Sequence, residues 1–350
     1  MEEFSISINN HQIGNGNKAF IIAEVAQAHD GSLGNAHAYI DAVAEARADA
    51  IKFQTHIAEE ESTFDESFRV DIGYQDKTRY DYWKRMGFTE VQWKGLVEHS
   101  REKGLVFLSS PFSVKAVEML SKIDMPAWKV GSGEIYTPDL MSAIIDTKAP
   151  VILSTGMCDY GEVNNITKML RQKGVQFALL QCTSRYPVSL EEVGLNVIEE
   201  YRSRFKCPVG LSDHSGSVYP SLTAMARNAD LIEVHVVMDR KLYGFDVAAS
   251  ITIDELAMLI KARDAIYLMD QNPVNKDNSA AGMADMKLLF SKSVAPSRAL
   301  SKGTVLTKDM LMLKKPGSGI KSHEREGLIG RRLRKNVSPE RLLKWDDIEL

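Results

Sequence analysis

The chain has 350 residues, 43 of them Lys or Arg and 47 Asp or Glu, and its formal net charge is −4. This length accommodates one large domain and a small one, and the slightly acidic balance gives no reason to expect nucleic acid or a membrane surface as a partner. Three widely spaced cysteines without CxxC spacing, a start without basic and apolar regions, and the lack of a long apolar run together predict a cytoplasmic protein with reduced thiols.

Residues 4–18 alternate apolar and polar side chains and reach Gly-Asn-Gly at 14–16, which predicts a small hairpin. Beyond it, short aliphatic runs alternate with segments whose apolar residues recur at helical spacing. The predicted strands are 19–24, 50–54, 105–109, 127–130, 150–154, 177–181, 209–212 and 231–235. The predicted helices are 35–48, 90–103, 114–122, 138–146, 162–173, 190–204, 218–229 and 253–269.

Eight strands that alternate with eight helices are the composition of a TIM (β/α)8 barrel. The alternative is a doubly wound open sheet, which would have fewer units and a nucleotide fingerprint, but no GxGxxG follows the first strand. The pattern therefore predicts a barrel domain over residues 1–270, a polar linker over 271–291 and a small compact domain over 292–350.

Residues 56–88 interrupt this alternation. The segment is rich in charged and aromatic residues, among them Asp71, Tyr82 and Trp83. So long an insertion after a strand is either a lid over a functional site or a surface excursion. Because barrel sites lie at the carboxyl ends of the strands, we favour the lid.

Two histidines follow neighbouring predicted strands. His214 comes just after the strand 209–212, and His235 ends the strand 231–235, with one helix between them. Strands joined in this way run parallel, so their carboxyl ends lie side by side. Two imidazoles in that position suit a divalent metal with open coordination positions. The alternative is two unrelated histidines that cap their strands through hydrogen bonds.

Two lysines lie within or at the end of predicted buried strands. Burying Lys52 and Lys129 is expensive unless an anion pairs with each of them. Serines and glycine N–H groups at neighbouring strand ends are suited to complete a phosphate cradle. A single lysine of this kind would also serve as a Schiff-base nucleophile, but two lysines with several hydroxyls fit an anionic substrate better. Glu24 and Glu134 are candidates for proton transfer or for binding hydroxyls, or are structural hydrogen-bond acceptors.

These strand ends carry motifs that resemble the sialic acid synthase family, the bacterial N-acetylneuraminate synthases and related nonulosonic acid synthases. The matching stretches are IAE at 22–24, HDG at 29–31, IKFQT at 51–55, SPFS at 110–113, WKVGSGE at 128–134, ILSTGM at 152–157, QCT at 181–183, YP at 186–187 and GLSDH at 210–214. The part from about residue 294 onward resembles the antifreeze-like SAF domain of the same family.

The resemblance implies condensation of phosphoenolpyruvate with N-acetylmannosamine or a related hexose, with release of phosphate and a requirement for a divalent metal, most often Mn²⁺, with Mg²⁺ or Co²⁺ as alternatives. It implies that His214 and His235 hold the metal and act in catalysis with Glu24 and Glu134. It implies that the phosphoenolpyruvate pocket is lined by Lys52, Ser110, Lys129, Ser132, Ser154, Ser184, Tyr186 and Ser212. It implies that Gln54, Asp246 and Lys315, together with Glu24, bind the sugar, and that Glu134 lies near the attacking water. It further implies a domain-swapped homodimer.

Where the chain departs from the family pattern, the changes surround the sugar. Ala28, Ser184 and Lys315 stand where the family commonly has Asn, Asn and Arg, and Phe245 stands in a run that usually reads Pro-Gly-Pro-Asp. The acceptor hexose, and hence the choice among sialic, legionaminic and related acids, stays open at this point. Two other readings also stay open, a Schiff-base aldolase on the same barrel and a carbohydrate-binding or ice-binding module.

Overall fold

The computed structural model describes residues 4–68 and 74–349, so Asp71 of the predicted lid lies outside the described residues. The chain forms two compact units, Met1–Gln271 and Asn272–Leu350. Within the described parts of the chain, no helix is long and apolar enough to cross a membrane.

The N-terminal unit is a closed barrel of eight parallel strands, which confirms the predicted fold class. The eight barrel strands are β3 (Phe20–Ala26), β4 (Ala50–Thr55), β5 (Val106–Pro111), β6 (Trp128–Val130), β7 (Val151–Ser154), β8 (Phe177–Cys182), β9 (Val209–Asp213) and β10 (Leu231–Val237). The unit also contains β1 (Ser5–Ile8) and β2 (His11–Gly14), which precede the barrel, and β11 (Ile251–Thr252), which follows it. The barrel runs from β3 to β10 in chain order and closes where β10 pairs with β3.

Helices connect consecutive barrel strands, as the sequence pattern predicts. They are α1 (Leu33–Glu45), α2 (Ala58–Glu61), α3 (Arg79–Met86), α4 (Glu90–Glu102), α5 (Val114–Ser121), α6 (Pro138–Asp146), α7 (Tyr160–Gln172), α8 (Asn196–Phe205), α9 (Tyr219–Ala226) and α10 (Ile253–Asp270). Several begin at residues whose side chains accept from the first-turn N–H groups; Asp159 and Glu162, for example, form a capping box at the start of α7.

Helix α8 begins later than its pattern predicts. Periodicity places a helix over 190–204, but residues 190–192 form a separate 3-10 turn and α8 starts at Asn196. Gly194 between them has a φ of 70°, a left-handed conformation that side chains rarely adopt. A Cβ at this position would lie 2.8 Å from the side-chain nitrogen of Gln181, so the chain turns here before the helix starts.

The two faces of the barrel strands carry different cores. Outward-facing residues pack against the helices in the large cluster that includes Ile51 and Phe53. Inward-facing residues form a second cluster, which contains Phe20, Ile22 and Leu231 from the amino halves of their strands. The antiparallel hairpin β1–β2 contributes Ile6, Ile8 and Ile13 to this interior cluster, so the predicted hairpin packs at the amino end of the barrel.

The C-terminal unit has a small core of its own, formed by buried Val, Leu and Ile side chains between Val294 and Ile348. Strands β12 (Ser293–Pro296) and β13 (Leu311–Lys314) pair antiparallel within it. The segment predicted as a linker forms two short helices, α11 (Lys276–Gly282) and α12 (Ala284–Phe290), whose residues are exposed. Polar composition indicated exposure correctly but did not reveal these helical turns.

Candidate active site

The interior of the barrel changes from apolar to charged within one step along its strands. In β3, Ile22 belongs to the interior apolar cluster and Glu24 follows it on the same face; in β4, Ala50 is followed by Lys52. The same two-residue step places buried polar side chains on other strands. These are Ser110, Lys129, Ser154, Cys182, Ser212 and Glu233. One buried polar layer therefore lies above the apolar layer, toward the carboxyl ends of the strands.

Lys52 is paired inside the barrel. Its Nζ lies 2.5 Å from Oε2 of Glu24 and 3.1 Å from Oγ of Ser110, which accepts its hydrogen bond. Burial raises the pKa of Glu24 to about 7, because desolvation outweighs the opposing attraction of Lys52. Burial would lower the pKa of Lys52, but Glu233 and Glu24 outweigh it and raise the pKa above its usual value. Glu24 therefore exchanges its proton near neutral pH while Lys52 stays an ammonium.

Glu233 joins the two lysines. Its Oε1 lies 3.3 Å from Nζ of Lys129 and 3.8 Å from Nζ of Lys52, and it accepts a hydrogen bond of 3.2 Å from Oγ of Ser212. Burial opposes the ionisation of Glu233, but Lys129 and Lys52 together hold its pKa below the usual value. Burial, together with the repulsion of Lys52, lowers the pKa of Lys129.

Glu233 is the functional candidate that the sequence reasoning missed. Its two-residue spacing from His235 places both on the inner face of β10, and that spacing was a usable signal. The burial of the two lysines instead predicted an external anion as their partner. The structure shows that two internal carboxylates, Glu24 and Glu233, already balance them.

The two histidines predicted as metal ligands lie together. The ring centroids of His214 and His235 are 5.3 Å apart, and Tyr186 stacks on His214 at 4.0 Å. The Nδ1 of His214 lies 3.1 Å from the carbonyl oxygen of Thr183 and donates to it, which leaves Nε2 unprotonated. Burial lowers the pKa of His214 to about 4, so the ring is neutral.

This donor chemistry fits a divalent cation. A neutral imidazole whose other nitrogen donates to a backbone carbonyl is the usual form of a histidine metal ligand. The Nδ1 of His235 lies 3.9 Å from Oδ2 of Asp246. Among the described residues, no cluster of three or more His, Cys, Asp or Glu side chains is arranged to hold a metal. A divalent cation at this place would therefore be held by the two imidazoles of His214 and His235.

The predicted serines lie around this layer in different surroundings. Oγ of Ser132 accepts a hydrogen bond of 2.8 Å from the N–H of Gly156, whereas Oγ of Ser154 is buried without a hydrogen-bond partner. A Cβ at Gly156 would lie 2.5 Å from Oγ of Ser184, so only glycine lets the Ser184 hydroxyl approach this closely. Ser154 therefore presents an unused hydroxyl toward the same region as Lys129, on the neighbouring strand.

Two of the residues assigned to the sugar and the one assigned to the attacking water are less deeply buried than the charged layer, whereas Glu24, also assigned to the sugar, lies within that layer. Gln54, Glu134 and Asp246 are half-buried, and burial raises the pKa of Glu134. Part of the predicted lid packs against the segment that carries Asp246: the ring of Phe245 stacks on Phe68 at 5.5 Å and meets Tyr82 edge-on at 4.9 Å. The described part of 56–88 is thus attached to a segment assigned to the sugar.

Among the described residues, no contact joins Lys315 to the residues above. It belongs to the C-terminal unit, where its side chain is exposed and its Nζ lies 4.9 Å from the ring centre of Phe290. Its assignment to the sugar remains a prediction.

Both parts of the chain match known families. The NeuB family model matches residues 39–274, and the SAF domain model matches residues 291–349. The N,N'-diacetyllegionaminic acid synthase of Legionella pneumophila is 30% identical over 96% of each chain, and a pseudaminic acid synthase of Campylobacter jejuni is 30% identical over 96% of this chain and 99% of its own. The crystal structure of an N-acetylneuraminic acid synthetase from Leptospira borgpetersenii, in complex with citrate, has a TM-score of 0.72 at 31% identity and covers 81% of this chain and 97% of its own.

The charge balance of the polar layer gives a prediction for Glu233→Gln. The variant leaves two buried lysines with one carboxylate, and breaking a buried ion pair in this way typically costs about 3–5 kcal/mol of unfolding free energy. Urea denaturation measures this loss, and added inorganic phosphate should restore more stability to the variant than to the wild type. Glu98→Gln, which removes an exposed partner of Lys94, should change stability by less than about 0.5 kcal/mol. Equal stability of Glu233→Gln and wild type would show that Glu233 does not balance the lysines.

Proposed function

The chain belongs to the NeuB family, which confirms the resemblance seen in its motifs, and from this we infer that it is a nonulosonic acid synthase that condenses phosphoenolpyruvate with an N-acylated hexosamine or a related aldose. The products are a nonulosonic acid and inorganic phosphate. The observation that carries this proposal is the buried polar layer, in which Lys52 and Lys129 lie among serine hydroxyls beside two buried histidines.

We propose that this layer binds the anionic groups of phosphoenolpyruvate. Lys52 and Lys129 supply two ammonium groups, and Ser110, Ser132, Ser154, Ser184 and Ser212 line the region from neighbouring strands and the loops that follow them. A phosphate or carboxylate group that binds here pairs with the two lysines and replaces part of their pairing with Glu24 and Glu233. Because the pKa of Glu24 is about 7, Glu24 can take up a proton as the anion binds, which lowers the charge repulsion.

The reaction requires one carbon–carbon bond to form and one carbon–oxygen bond to break. C3 of phosphoenolpyruvate attacks the aldehyde carbon of the sugar, water adds to the cationic C2, and the tetrahedral intermediate expels phosphate with the bridging oxygen. We assign the acceptance of the proton from the attacking water to Glu134, and the raised pKa that burial gives this carboxyl supports the role. Glu24, Gln54 and Asp246 contact the sugar, and Tyr186 belongs to the phosphoenolpyruvate pocket.

The choice of acceptor is the finer part of this proposal. The similar proteins named above make legionaminic, pseudaminic and sialic acids, and the residues around the sugar differ from the family pattern at Phe245 and Ser184. We propose a 2-acylamino hexose as the acceptor class, with N-acetylmannosamine and 2,4-diacetamido hexoses as the two candidates to compare. Because Cys158, Cys182 and Cys207 are all free thiols, we propose a cytoplasmic location for the enzyme.

The test is phosphate release from phosphoenolpyruvate labelled with ¹⁸O at the bridging oxygen, with mannose, N-acetylmannosamine and a 2,4-diacetamido hexose as acceptors. We expect release that depends on one of the acylated sugars, label in the phosphate, and a product whose mass is that of the nonulosonic acid. Label retained in the sugar product would refute carbon–oxygen cleavage. Inactivation by borohydride in the presence of substrate would favour the Schiff-base alternative, with Lys129 as the amine to examine.

We propose that His214 and His235 hold a divalent cation, most often Mn²⁺, with Mg²⁺ or Co²⁺ as substitutes. When bound, such an ion supplies Lewis-acid polarisation of an aldehyde oxygen. His214→Ala and His235→Ala should each lose stoichiometric Mn²⁺ binding, measured by equilibrium dialysis, together with turnover. His323→Ala, which removes an exposed histidine, is the matched control and should bind as the wild type does. Full Mn²⁺ binding in either barrel variant would place the metal elsewhere.

We propose that the protein is a homodimer in which the SAF domain of one chain serves the barrel of the other, with Lys315 close to the sugar. The exposed apolar side chains of Met286, Leu289 and Phe290 in α12 support a partner surface. Sedimentation equilibrium should give twice the 39.0 kDa of one chain. A monomer at the concentrations where the enzyme is active would rule out this arrangement.

A further inference from the structure

A chain of buried hydrogen bonds leads from the described part of the predicted lid to Gln54. Oε1 of Glu61, at the end of α2, lies 2.6 Å from Nδ1 of His56. Nε2 of His56 lies 3.2 Å from Oε1 of Gln54, and Nε2 of Gln27 donates to the same oxygen at 3.4 Å. The side chain of Glu61 is only 9% exposed, and its second oxygen, Oε2, is buried without a hydrogen-bond partner.

Two aromatic rings fix the plane of the His56 imidazole. Trp83 from α3 stacks on one face at 3.7 Å and 13°, and Phe112 stacks at 4.1 Å and 18°. With both faces covered, the ring turns only within its own plane, so each nitrogen keeps its partner. The histidine thereby connects Glu61 to Gln54. The direction of its two hydrogen bonds depends on which of the atoms carry protons.

The charges around the pair define those protons. Burial lowers the pKa of His56 well below its usual value, and burial, with further contributions from Glu134 and Glu66, raises the pKa of Glu61 to about 9. Arg79 is the nearby cation, and it opposes the shift of Glu61 only in part. A pair with a net negative charge is therefore unfavourable in this environment.

A proton on Oε2 of Glu61 would be a buried donor without a partner, so in a pair without net charge the shared proton lies between Oε1 of Glu61 and Nδ1 of His56, on either atom. In both cases Nε2 of the ring carries a proton. The Nε2–H group then donates to Oε1 of Gln54, and that oxygen accepts from both His56 and Gln27. The NH2 group of Gln54 is left on the opposite side of the amide plane.

Gln54 lies on the same face of β4 as Lys52 and pairs in register with Ser110 of β5. We propose that Glu61 is a positioning residue for acceptor recognition, because through His56 it holds the Gln54 amide with its NH2 group directed at an acceptor oxygen of the sugar. The recognised group is then a hydroxyl used as an acceptor or an acyl carbonyl, rather than a donor. This inference rests on the proposed function, since it assigns a partner to Gln54 within that site.

Kinetics of two variants at one position separate positioning from general packing. Glu61→Met keeps the length of the side chain but leaves Nδ1 of His56 without its partner, whereas the amide of Glu61→Gln can still donate to Nδ1. We expect Glu61→Met to raise the KM for the sugar roughly three- to tenfold without changing the KM for phosphoenolpyruvate, and Glu61→Gln to stay near wild type. Glu60→Met, at the exposed neighbouring position on α2, is the matched control.

An equal rise in both KM values, or no change in Glu61→Met, would overturn the positioning role. A double variant with Gln54→Ala adds a second criterion. If Glu61 acts through Gln54, adding Glu61→Met to Gln54→Ala should produce no further rise in the KM for the sugar. Additive effects would mean that Glu61 acts by another route.

A spectroscopic measurement decides the inference without any substrate. Nitrogen-15 NMR of the histidine-labelled protein, with His56→Asn to assign the signal, should show Nε2 of His56 protonated in wild type and Glu61→Gln. A mixture with the Nδ1–H form is expected in Glu61→Met. An unprotonated Nε2 in the wild type would overturn the inference. If the wild type released no phosphate with any aldose, the proposed function would fail, yet this measurement would still test the hydrogen-bond chain.

Discussion

Two lysines and two glutamates are buried together in the interior of the barrel, next to a layer of apolar side chains. Burying any one of them alone would cost several kcal/mol, so Lys52, Lys129, Glu24 and Glu233 are stable only as a set. The two-residue period of the strands places all four at one level, above the apolar layer that the N-terminal hairpin completes. The same constraint bears on the proposed binding of an anionic substrate. The anion binds beside the ammonium groups of Lys52 and Lys129, and Glu24 can give up its pairing with Lys52 by taking up a proton.

Under the proposed function, the reaction and the choice of sugar depend on different parts of this site. The charged layer and the histidines lie on the barrel strands or directly after them, and their geometry is set by strand register. The region assigned to the sugar is built from less regular segments: the loop that carries Asp246, the described part of 56–88, and the stacked rings around His56. Residues can change in the second region without disturbing the charge balance of the first. This separation is consistent with relatives that are named as synthases of three different acids.

The parts of the site that follow from periodicity could be predicted from the sequence. Eight apolar runs at regular spacing specify the barrel, and the rule that barrel chemistry lies at the carboxyl ends of strands selects Lys52, Lys129, His214 and His235. The internal partner of the lysines could not be chosen in this way, because the spacing that puts Glu233 on the inner face of its strand does not say which side chains it touches. The contacts of His56 join residues 27 and 56 positions away in the chain, Trp83 and Phe112, and no local pattern indicates them. The family resemblance supplied roles for residues such as Tyr186 and Asp246 that spacing alone leaves undefined.

We propose that Lys52 and Lys129 form the anion site of the barrel, and calorimetric titration with phosphoenolpyruvate measures binding at that site. Lys52→Met and Lys129→Met each remove one charge-assisted contact of about 1.5–3 kcal/mol, so each should weaken binding by roughly tenfold to a hundredfold relative to wild type. Lys115→Met, which alters an exposed lysine paired with Glu118, should bind as the wild type does. Undiminished affinity in both barrel variants, with the fold intact, would contradict the account and place the phosphoenolpyruvate site elsewhere.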